Sequence, residues 1–215
     1  MESNQTLPIL SAEEQRVLGS LIEKSRTTPD YYPMSLNGLQ SACNQKTSRS
    51  PIVQYDEEII VKTLDSLKKK GLVSTVTGGT GRVVKFKHNL GIVFPLVPSE
   101  LSIICILLLR GAQTAGELNT NSGRLYEFDS LDEVQSSLEK LREGDAPFVK
   151  VLERRPGQKE VRYVHLLGDV PEYVAEPSSN LNTASMEMLE SRVETLEKEL
   201  SELKDAFNKL MAELS

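Results

Sequence analysis

Residues 55–73 read YDEEIIVKTLDSLKKKGLV, and this stretch decides how the chain around it is interpreted. Its apolar side chains recur at the spacing of an amphipathic helix: Ile60, Leu64 and Leu67. Asp56 is expected to cap the first turn of this helix, and Gly71 is expected to follow its last turn in a left-handed conformation. Residues 72–88, LVSTVTGGTGRVVKFKH, then join two strand-like runs through a glycine-rich loop. A helix followed by such a hairpin is typical of the end of a winged helix-turn-helix domain.

Two further helices are predicted upstream of this element. The sequence SAEE at residues 11–14 is a capping box, and it opens a helix whose apolar face includes Leu18 and Leu21. Residues 35–44, SLNGLQSACN, predict a second, shorter helix. Three helices followed by a two-stranded hairpin, or wing, predict one winged-helix domain over residues 8–90.

The same order of elements begins again after a proline-containing connector at residues 91–98. Three helix starts are predicted from their capping residues: Ser99, Thr114 and Ser130. Two strand-like runs follow, on either side of the turn sequence RRPGQK at residues 154–159. The two halves also match in sequence, because VKFKHNLG at 84–91 aligns with VRYVHLLG at 161–168. This internal repeat predicts a second winged-helix domain over residues 99–168.

The C-terminal part of the chain carries a heptad pattern. Residues 169–184 are rich in proline, serine and asparagine, and they predict a linker. Residues 185–214 predict a coiled-coil helix, whose seam includes these apolar side chains: Leu189, Val193, Leu196, Leu200, Leu203, Phe207 and Leu210. We interpret the seam as the interface of a homodimer; the alternative is that it packs against the chain's own body. The predicted fold class is therefore mostly α (α+β), with two tandem winged helix-turn-helix domains followed by a C-terminal coiled-coil helix.

The composition is that of an ordinary globular protein, with 39% hydrophobic and 26% charged residues. The longest apolar run, residues 103–109, is too short to cross a membrane, and residues 1–10 lack a signal-peptide pattern, so we expect a cytoplasmic protein with no membrane partner. Cys43 and Cys105 lie in helical patterns and are expected to be buried, reduced thiols. The net charge of the whole chain is −6, but its first half is basic: residues 1–98 carry a net charge of +3. A local basic surface therefore remains compatible with nucleic-acid binding.

Three strings in the chain are long and unusual enough to carry a family resemblance. The first half contributes RTTPDYYPMSLNGLQSACNQKTSRSPIVQYDE at residues 26–57. The second half contributes LLLRGAQTAGEL at 107–118 and RRPGQKEVRYVHLL at 154–167. Over about residues 8–170 the chain resembles the YceH-like proteins, a family of uncharacterised bacterial proteins with two winged-helix domains. The resemblance implies the fold but no activity, and the chain departs from it at residues 119–121, where NTN replaces common arginines and weakens the case for phosphate contact by that helix.

We expect no enzymatic activity, no cofactor and no metal site. His88 and His165 stand at the ends of the two wings, and their repeated positions indicate structural roles rather than ligation or catalysis. Neither cysteine has a CxxC partner. The glycines of TGGTGR at residues 77–82 lack the lysine and the strand-to-helix context of a phosphate-binding loop, and a wing turn explains them.

DNA binding is the function that the predicted fold suggests, by analogy of fold alone. Eight basic residues near the helix-turn-helix segment and on the wings are candidate phosphate contacts: Lys46, Arg49, Arg82, Lys85, Lys87, Arg154, Arg155 and Lys159. For each one taken singly, the alternative is a solvated surface charge. Arg154 and Arg155 adjoin a Pro-Gly turn, and a projecting basic tip is typical of a wing that contacts the DNA backbone.

The third helix of each half is an unusual candidate for reading DNA bases. A recognition helix contacts base edges with its N-terminal residues, but these ends are acidic here, at residues 56–58 in the first half and at residues 129, 132 and 133 in the second. The polar string from Asn44 to Arg49 either holds the turn between two helices or forms a contact surface for nucleic acid or a protein. We therefore hypothesise a non-enzymatic DNA-binding or regulatory protein that uses its basic wings. The alternative is a protein–protein interaction module, with the winged helices as docking surfaces and the coiled coil for assembly.

Overall fold

The computed structural model of the protein describes residues 7–77, 83–144, 146–154 and 159–168, together with Lys198 and Lys204. Residues 7–168 belong to one compact unit, which extends over Met1–Val170. The described segments of this unit form a mixed α+β structure with seven α-helices and two small antiparallel sheets. Apart from Lys198 and Lys204, the coiled coil predicted for residues 185–214 lies outside the described residues.

The first half of the unit is built from these described elements: α1 (Ala12–Thr27), a 3-10 turn (Pro29–Tyr31), β1 (Met34–Ser35), α2 (Leu36–Cys43), α3 (Glu57–Lys69), β2 (Val73–Val76), β3 (Lys85–His88) and α4 (Leu90–Val93). Its strands form one sheet in the order β1-β3-β2. The second half is built from α5 (Pro98–Arg110), α6 (Ala115–Ser122), α7 (Leu131–Arg142), β4 (Val149–Leu152) and β5 (Arg162–His165). The order of three helices followed by a hairpin therefore occurs twice, as the sequence predicts.

Side-chain caps start α1 and α3 where the sequence places them. Ser11 and Glu14 form the predicted capping box of α1, in which each side chain accepts a hydrogen bond from the other residue's backbone amide. Asp56 accepts a hydrogen bond from the Ile59 amide at the start of α3, with an N–O distance of 2.8 Å. Gly71 follows α3 with a φ of +73°, which an L-residue with a side chain adopts at a cost. These three local predictions are confirmed.

Two helix starts differ in detail from the sequence prediction. α5 begins at Pro98, two residues earlier than a cap at Ser99 allows, and the carboxylate of Glu100 accepts a hydrogen bond from the Val97 amide. Proline fits this first helical position because its missing N–H has no intrahelical partner there. At α7, Ser130 caps the Glu133 amide as predicted, but the Glu133 carboxylate accepts from the Asp129 amide instead of completing a capping box.

The strand register agrees with the sequence repeat. Phe86 on β3 pairs with Met34, which lies one residue before Ser35, the capping residue of α2. Tyr163 on β5 forms an isolated antiparallel bridge with Gln113, one residue before the cap of α6. The aligned aromatic residues thus contact equivalent positions in the two halves, so the duplication extends to the pairing of the hairpin with the segment before the short helix.

One continuous apolar core fills the unit. It runs from Leu10, before α1, to Leu167, after β5, and includes residues of both halves. Helix α5 lies within this core, because its residues 101–109 are all buried. The boundaries predicted at residues 91–98 therefore fall inside a single compact unit, and the division into two domains stays a prediction.

Helices α1 and α5 are in close contact at Gly19. A Cβ atom added to Gly19 would lie 2.9 Å from the Cγ atom of Leu109 and 3.2 Å from the Cβ atom of Leu108. The thiol of Cys105 contacts the Gly19 carbonyl, with an S–O distance of 3.4 Å. Both cysteines are buried, as predicted, and burial raises the pKa of the Cys43 thiol to about 11, so it is protonated at neutral pH.

Replacement of Gly19 by alanine is expected to destabilise the protein by about 1–3 kcal/mol, because the added methyl group overpacks the contact with Leu109. Chemical denaturation measures the loss as a lower midpoint. Gly91→Ala is the matched control, since a Cβ atom at Gly91 meets nothing within 4 Å, and it is expected to stay within about 0.5 kcal/mol of the unmodified protein. Equal effects of the two substitutions would contradict the close helix contact.

Candidate nucleic-acid interface

The first hairpin places its two described candidate lysines on one face of the sheet. Lys85 and Lys87 alternate along β3 with Phe86, which is buried in the core. Lys85 is exposed and pairs in register with Ser35 and Val76, while Lys87 is partly exposed. Both lysines therefore occupy the face opposite the core. Arg82, the third candidate on this wing, lies outside the described residues.

The second hairpin exposes a similar set of basic side chains. Arg154 follows β4 and Lys159 precedes β5, and both are exposed, whereas Arg155 lies outside the described residues. Lys150, which the sequence analysis omitted, is also exposed because it lies between Val149 and Val151 on a strand with one buried face. The alternation of VKVL was the signal that could have identified it. Glu153 and Glu160 are exposed on the same hairpin and reduce its positive charge.

The structure corrects the role predicted for Arg49. Its side chain is 0% exposed, and its guanidinium forms a bidentate ion pair with Glu23, with N–O distances of 3.0 and 2.7 Å. The same group donates to the carbonyl oxygens of Ala42 and Ser48 and to the side chain of Gln45. A guanidinium with this many internal acceptors is not available to a phosphate, so Arg49 holds the loop between α2 and α3.

Two other side chains hold the same loop. Arg16 is buried in α1, and its guanidinium donates to the carbonyl oxygens of Cys43 and Pro51. The Asn44 side chain exchanges two hydrogen bonds of 2.8 Å with the backbone of Tyr55, which connects the end of α2 to the start of α3. Asn44 thus holds the turn through its amide, as one sequence interpretation proposed. Lys46, in contrast, is exposed at the surface of the loop.

The leading ends of the third helices are acidic at the surface. Glu57 and Glu58 are exposed at the start of α3, where Glu58 forms an ion pair with Lys62 one turn later. Asp132 is exposed in the first turn of α7. Carboxylates at these ends complement the helix dipole but repel phosphate groups. The surface of the hairpins is therefore electrostatically more favourable for nucleic acid than the ends of these helices.

The two histidines occupy equivalent positions at the ends of β3 and β5. The backbone amide of His88 donates to the Tyr32 hydroxyl at 2.7 Å, and its Nε2 atom lies 3.3 Å from the hydroxyl of Ser25. The Nδ1 atoms of both His88 and His165 are buried and have no hydrogen-bond partner among the described residues. Burial lowers the pKa of each imidazole to about 4, so both are neutral at pH 7.

The described residues contain no cluster of three or more histidine, cysteine, aspartate or glutamate side chains arranged to hold a metal ion. Among these residues there is also no helix that combines the length and the hydropathy needed to span a membrane.

These features define a class of protein: a mixed α+β chain with two successive sets of three helices and a hairpin, whose hairpins expose basic side chains. The chain belongs to the family described as "Protein of unknown function, DUF480", which matches residues 10–158. It is 42% identical to a UPF0502 protein of Shewanella sp. (strain MR-4), over 96% of this chain and 99% of the relative. It is 45% identical to a UPF0502 protein of Pectobacterium carotovorum subsp. carotovorum (strain PC1), over 94% of this chain and 98% of the relative. Membership of an uncharacterised bacterial family is thereby established, and the resemblance to YceH-like proteins is compatible with it.

The free energy of unfolding is expected to fall as the pH is lowered from 7 to about 4.5, because the unfolded histidines titrate near pH 6.5 and the folded ones only near pH 4. Between these values the unfolded chain binds more protons than the folded chain, so acid favours unfolding. The expected loss is about 2 kcal/mol per histidine. Urea denaturation at a series of pH values measures it.

The double variant His88→Gln with His165→Gln provides the control, since its stability should vary less with pH in this window. Burial raises the pKa of Glu23, but the hydrogen bonds from Arg49 outweigh that effect and hold the pKa below 4.5. Such carboxylates lose their contribution to stability only at lower pH, so they do not mask the histidines. An unchanged pH slope in the double variant would refute the assignment.

Proposed function

We propose that the two sets of three helices and a hairpin are tandem winged helix-turn-helix domains, and that residues 185–214 form a coiled coil that makes the protein a homodimer. The repeated order of elements supports the first part of this proposal. The bridge between Gln113 and Tyr163 also supports it, because it reproduces in the second half the pairing of β1 with β3 in the first. A small third strand beside the hairpin is a feature expected of a winged helix.

We propose further that the protein is a non-enzymatic, cytoplasmic DNA-binding or regulatory protein that contacts phosphate groups with its hairpins. One observation carries this proposal. Residues 71–88 contain three basic side chains and no carboxylate, and the two that the structure describes, Lys85 and Lys87, project from the face of the sheet opposite the core. A carboxylate-free hairpin of this kind attracts the DNA backbone without internal competition.

The partners of the other basic residues support the proposal. Arg49 is paired with Glu23, Arg162 with Glu117 and Lys70 with Glu14, so these cations stabilise the fold. Five hairpin cations, of which Lys87 is partly exposed and the others exposed, form no ion pair with another described residue: Lys85, Lys87, Lys150, Arg154 and Lys159. Their charge is therefore available to a polyanion. Because the whole chain is acidic, with a net charge of −6, we expect binding that weakens steeply with salt.

A specific observation also favours the alternative function, a protein–protein interaction module. The outer surfaces of the third helices combine carboxylates with exposed apolar side chains, namely Val61 on α3 (40% exposed) and Leu131 on α7 (43% exposed). Such a mixture suits a protein partner better than a phosphate backbone. In this alternative the third helices are docking surfaces, and the coiled coil assembles the complex.

Fluorescence anisotropy with a random-sequence DNA duplex tests the DNA proposal. The logarithm of the affinity is expected to fall linearly with the logarithm of the salt concentration, and Lys85→Ala with Lys87→Ala is expected to reduce this slope by about one per lysine. Arg154→Ala with Arg155→Ala should act in the same direction on the second hairpin. Lys140→Ala with Arg142→Ala is the matched control, because both residues are exposed at the end of α7. Absence of binding at low salt would refute the DNA proposal and favour the protein-interaction alternative.

The homodimer is tested by light scattering of the full-length protein and of a truncated protein that ends near residue 180. The full-length protein is expected to have twice the mass of its chain and the truncated one the mass of a single chain, because the leucine-rich seam of residues 185–214 is then absent. Two monomers would show that the seam does not mediate self-association. Two dimers would place the interface elsewhere in the chain.

A further inference from the structure

A polar cavity of about 100 Å³ lies where the two halves of the compact unit meet. The C-terminal ends of α1, α5 and α6 surround it, together with the loop between α2 and α3. Its polar lining includes side chains from all four segments: Lys24, Gln45, Ser48, Arg110, Asn121 and Arg124. Neither half forms the cavity alone, since Lys24 and Ser48 belong to the first and Arg110 and Arg124 to the second.

The lining carries more positive than negative charge. Glu23 is the only carboxylate in the described lining, and its two oxygens already accept the bidentate bonds from Arg49. Lys24 lies 3.3 Å from the same carboxylate, so one negative charge faces two cations. Arg110 donates only to a hydroxyl, that of Ser48, and Arg124 is exposed and forms no hydrogen bond or ion pair with another described residue. The cavity therefore has unbalanced cations in a chain whose net charge is −6.

The simplest structural explanation is that these cations complement helix C-termini, where carbonyl oxygens are exposed. Several of those oxygens, however, have other partners. Thr27 and Thr28 donate to the carbonyl oxygens of Glu23 and Lys24 at the end of α1, and the Ser50 amide donates to Leu109 at the end of α5. The Leu125 amide donates to Ser122 at the end of α6. The cationic side chains are therefore not needed as hydrogen-bonding caps.

The loop residues of the cavity are held in place by the fold. Ser48 has a φ of +59°, an unusual value for a residue other than glycine, and its carbonyl and hydroxyl oxygens accept bonds from Arg49 and Arg110. The side-chain oxygen of Gln45 accepts from Arg49, which leaves its amide group as a donor beside the cavity. The Gln45 amide and the Arg110 guanidinium are thus positioned by internal hydrogen bonds before any ligand arrives.

We propose that this cavity binds a small oxyanion, a phosphate or carboxylate group, between Arg124, Arg110 and Lys24. Arginine and lysine side chains with spare donors are the groups that recognise such anions in proteins. The volume of about 100 Å³ accommodates one such anionic group. Because the ligand contacts both halves, it connects the α2–α3 loop to α5 and α6. The site does not depend on whether the hairpins bind DNA.

Isothermal titration calorimetry and thermal unfolding of the full-length protein test the site. The probes are inorganic phosphate and acetate, with chloride at matched ionic strength as the reference. We expect saturable binding and a saturable rise in the unfolding temperature with phosphate, with acetate or with both.

Arg124→Ala is expected to weaken this binding about fivefold or more, without unfolding the protein, because the side chain is exposed and lacks internal partners. Arg142→Ala, which removes the same charge from the exposed end of α7, is the matched control and should bind as the unmodified protein does.

The outcomes distinguish the sources of the anion. Saturation by phosphate alone identifies a phosphate ligand, and saturation by acetate alone identifies a carboxylate ligand. A stabilisation that never saturates and is equal in Arg124→Ala is a general salt effect and overturns the proposal. Absence of binding by either anion overturns it as well. Lys85→Ala with Lys87→Ala should leave the anion affinity unchanged, so failure of the DNA proposal and failure of this one are separate results.

Discussion

The contact of α1 with α5 at Gly19 is the constraint on which the rest of the compact unit depends. Because Gly19 has no side chain, the backbone of α1 lies directly against Leu109, and the apolar length of α5 is enclosed by both halves. The two sets of helices consequently share one core instead of building two. The same packing brings the C-terminal ends of α1, α5 and α6 together. The polar cavity between the halves lies among these three helix ends.

The distribution of basic side chains follows from the cost of burying charge. A buried guanidinium is tolerated only where acceptors replace its lost water, and Arg16 and Arg49 find these acceptors in the carbonyl oxygens and the carboxylate around the α2–α3 loop. The hairpin lysines need no such compensation, because Phe86 supplies the buried contact and leaves Lys85 exposed and Lys87 partly exposed. Cations that stabilise the fold are thus distinguished by their internal acceptors, whereas Lys85 and Lys87 form no ion pair with another described residue.

Much of the secondary structure was predictable because its signals are local. The caps at Ser11 and Asp56, the glycine after α3 and the repeated hairpin sequence each depend on residues a few positions apart. The role of Arg49 was not predictable in this way, since its polar neighbours in sequence suggest a surface position and its partner, Glu23, lies 26 residues upstream. Contacts between the halves could not be predicted from the sequence for the same reason. No local pattern identifies Gly19 as a point of contact between two helices.

The backbone before α1 is bonded to the backbone after β5, and this joins the two ends of the described unit. The amide of Leu10 donates to the carbonyl of Leu167 at 2.8 Å, and Leu10 and Gly168 form a parallel bridge. The first and last described segments of this unit therefore lie side by side. Such adjacency is the geometry that circular permutation needs, in which a short peptide joins residue 168 to residue 10 and the chain is opened within residues 91–98.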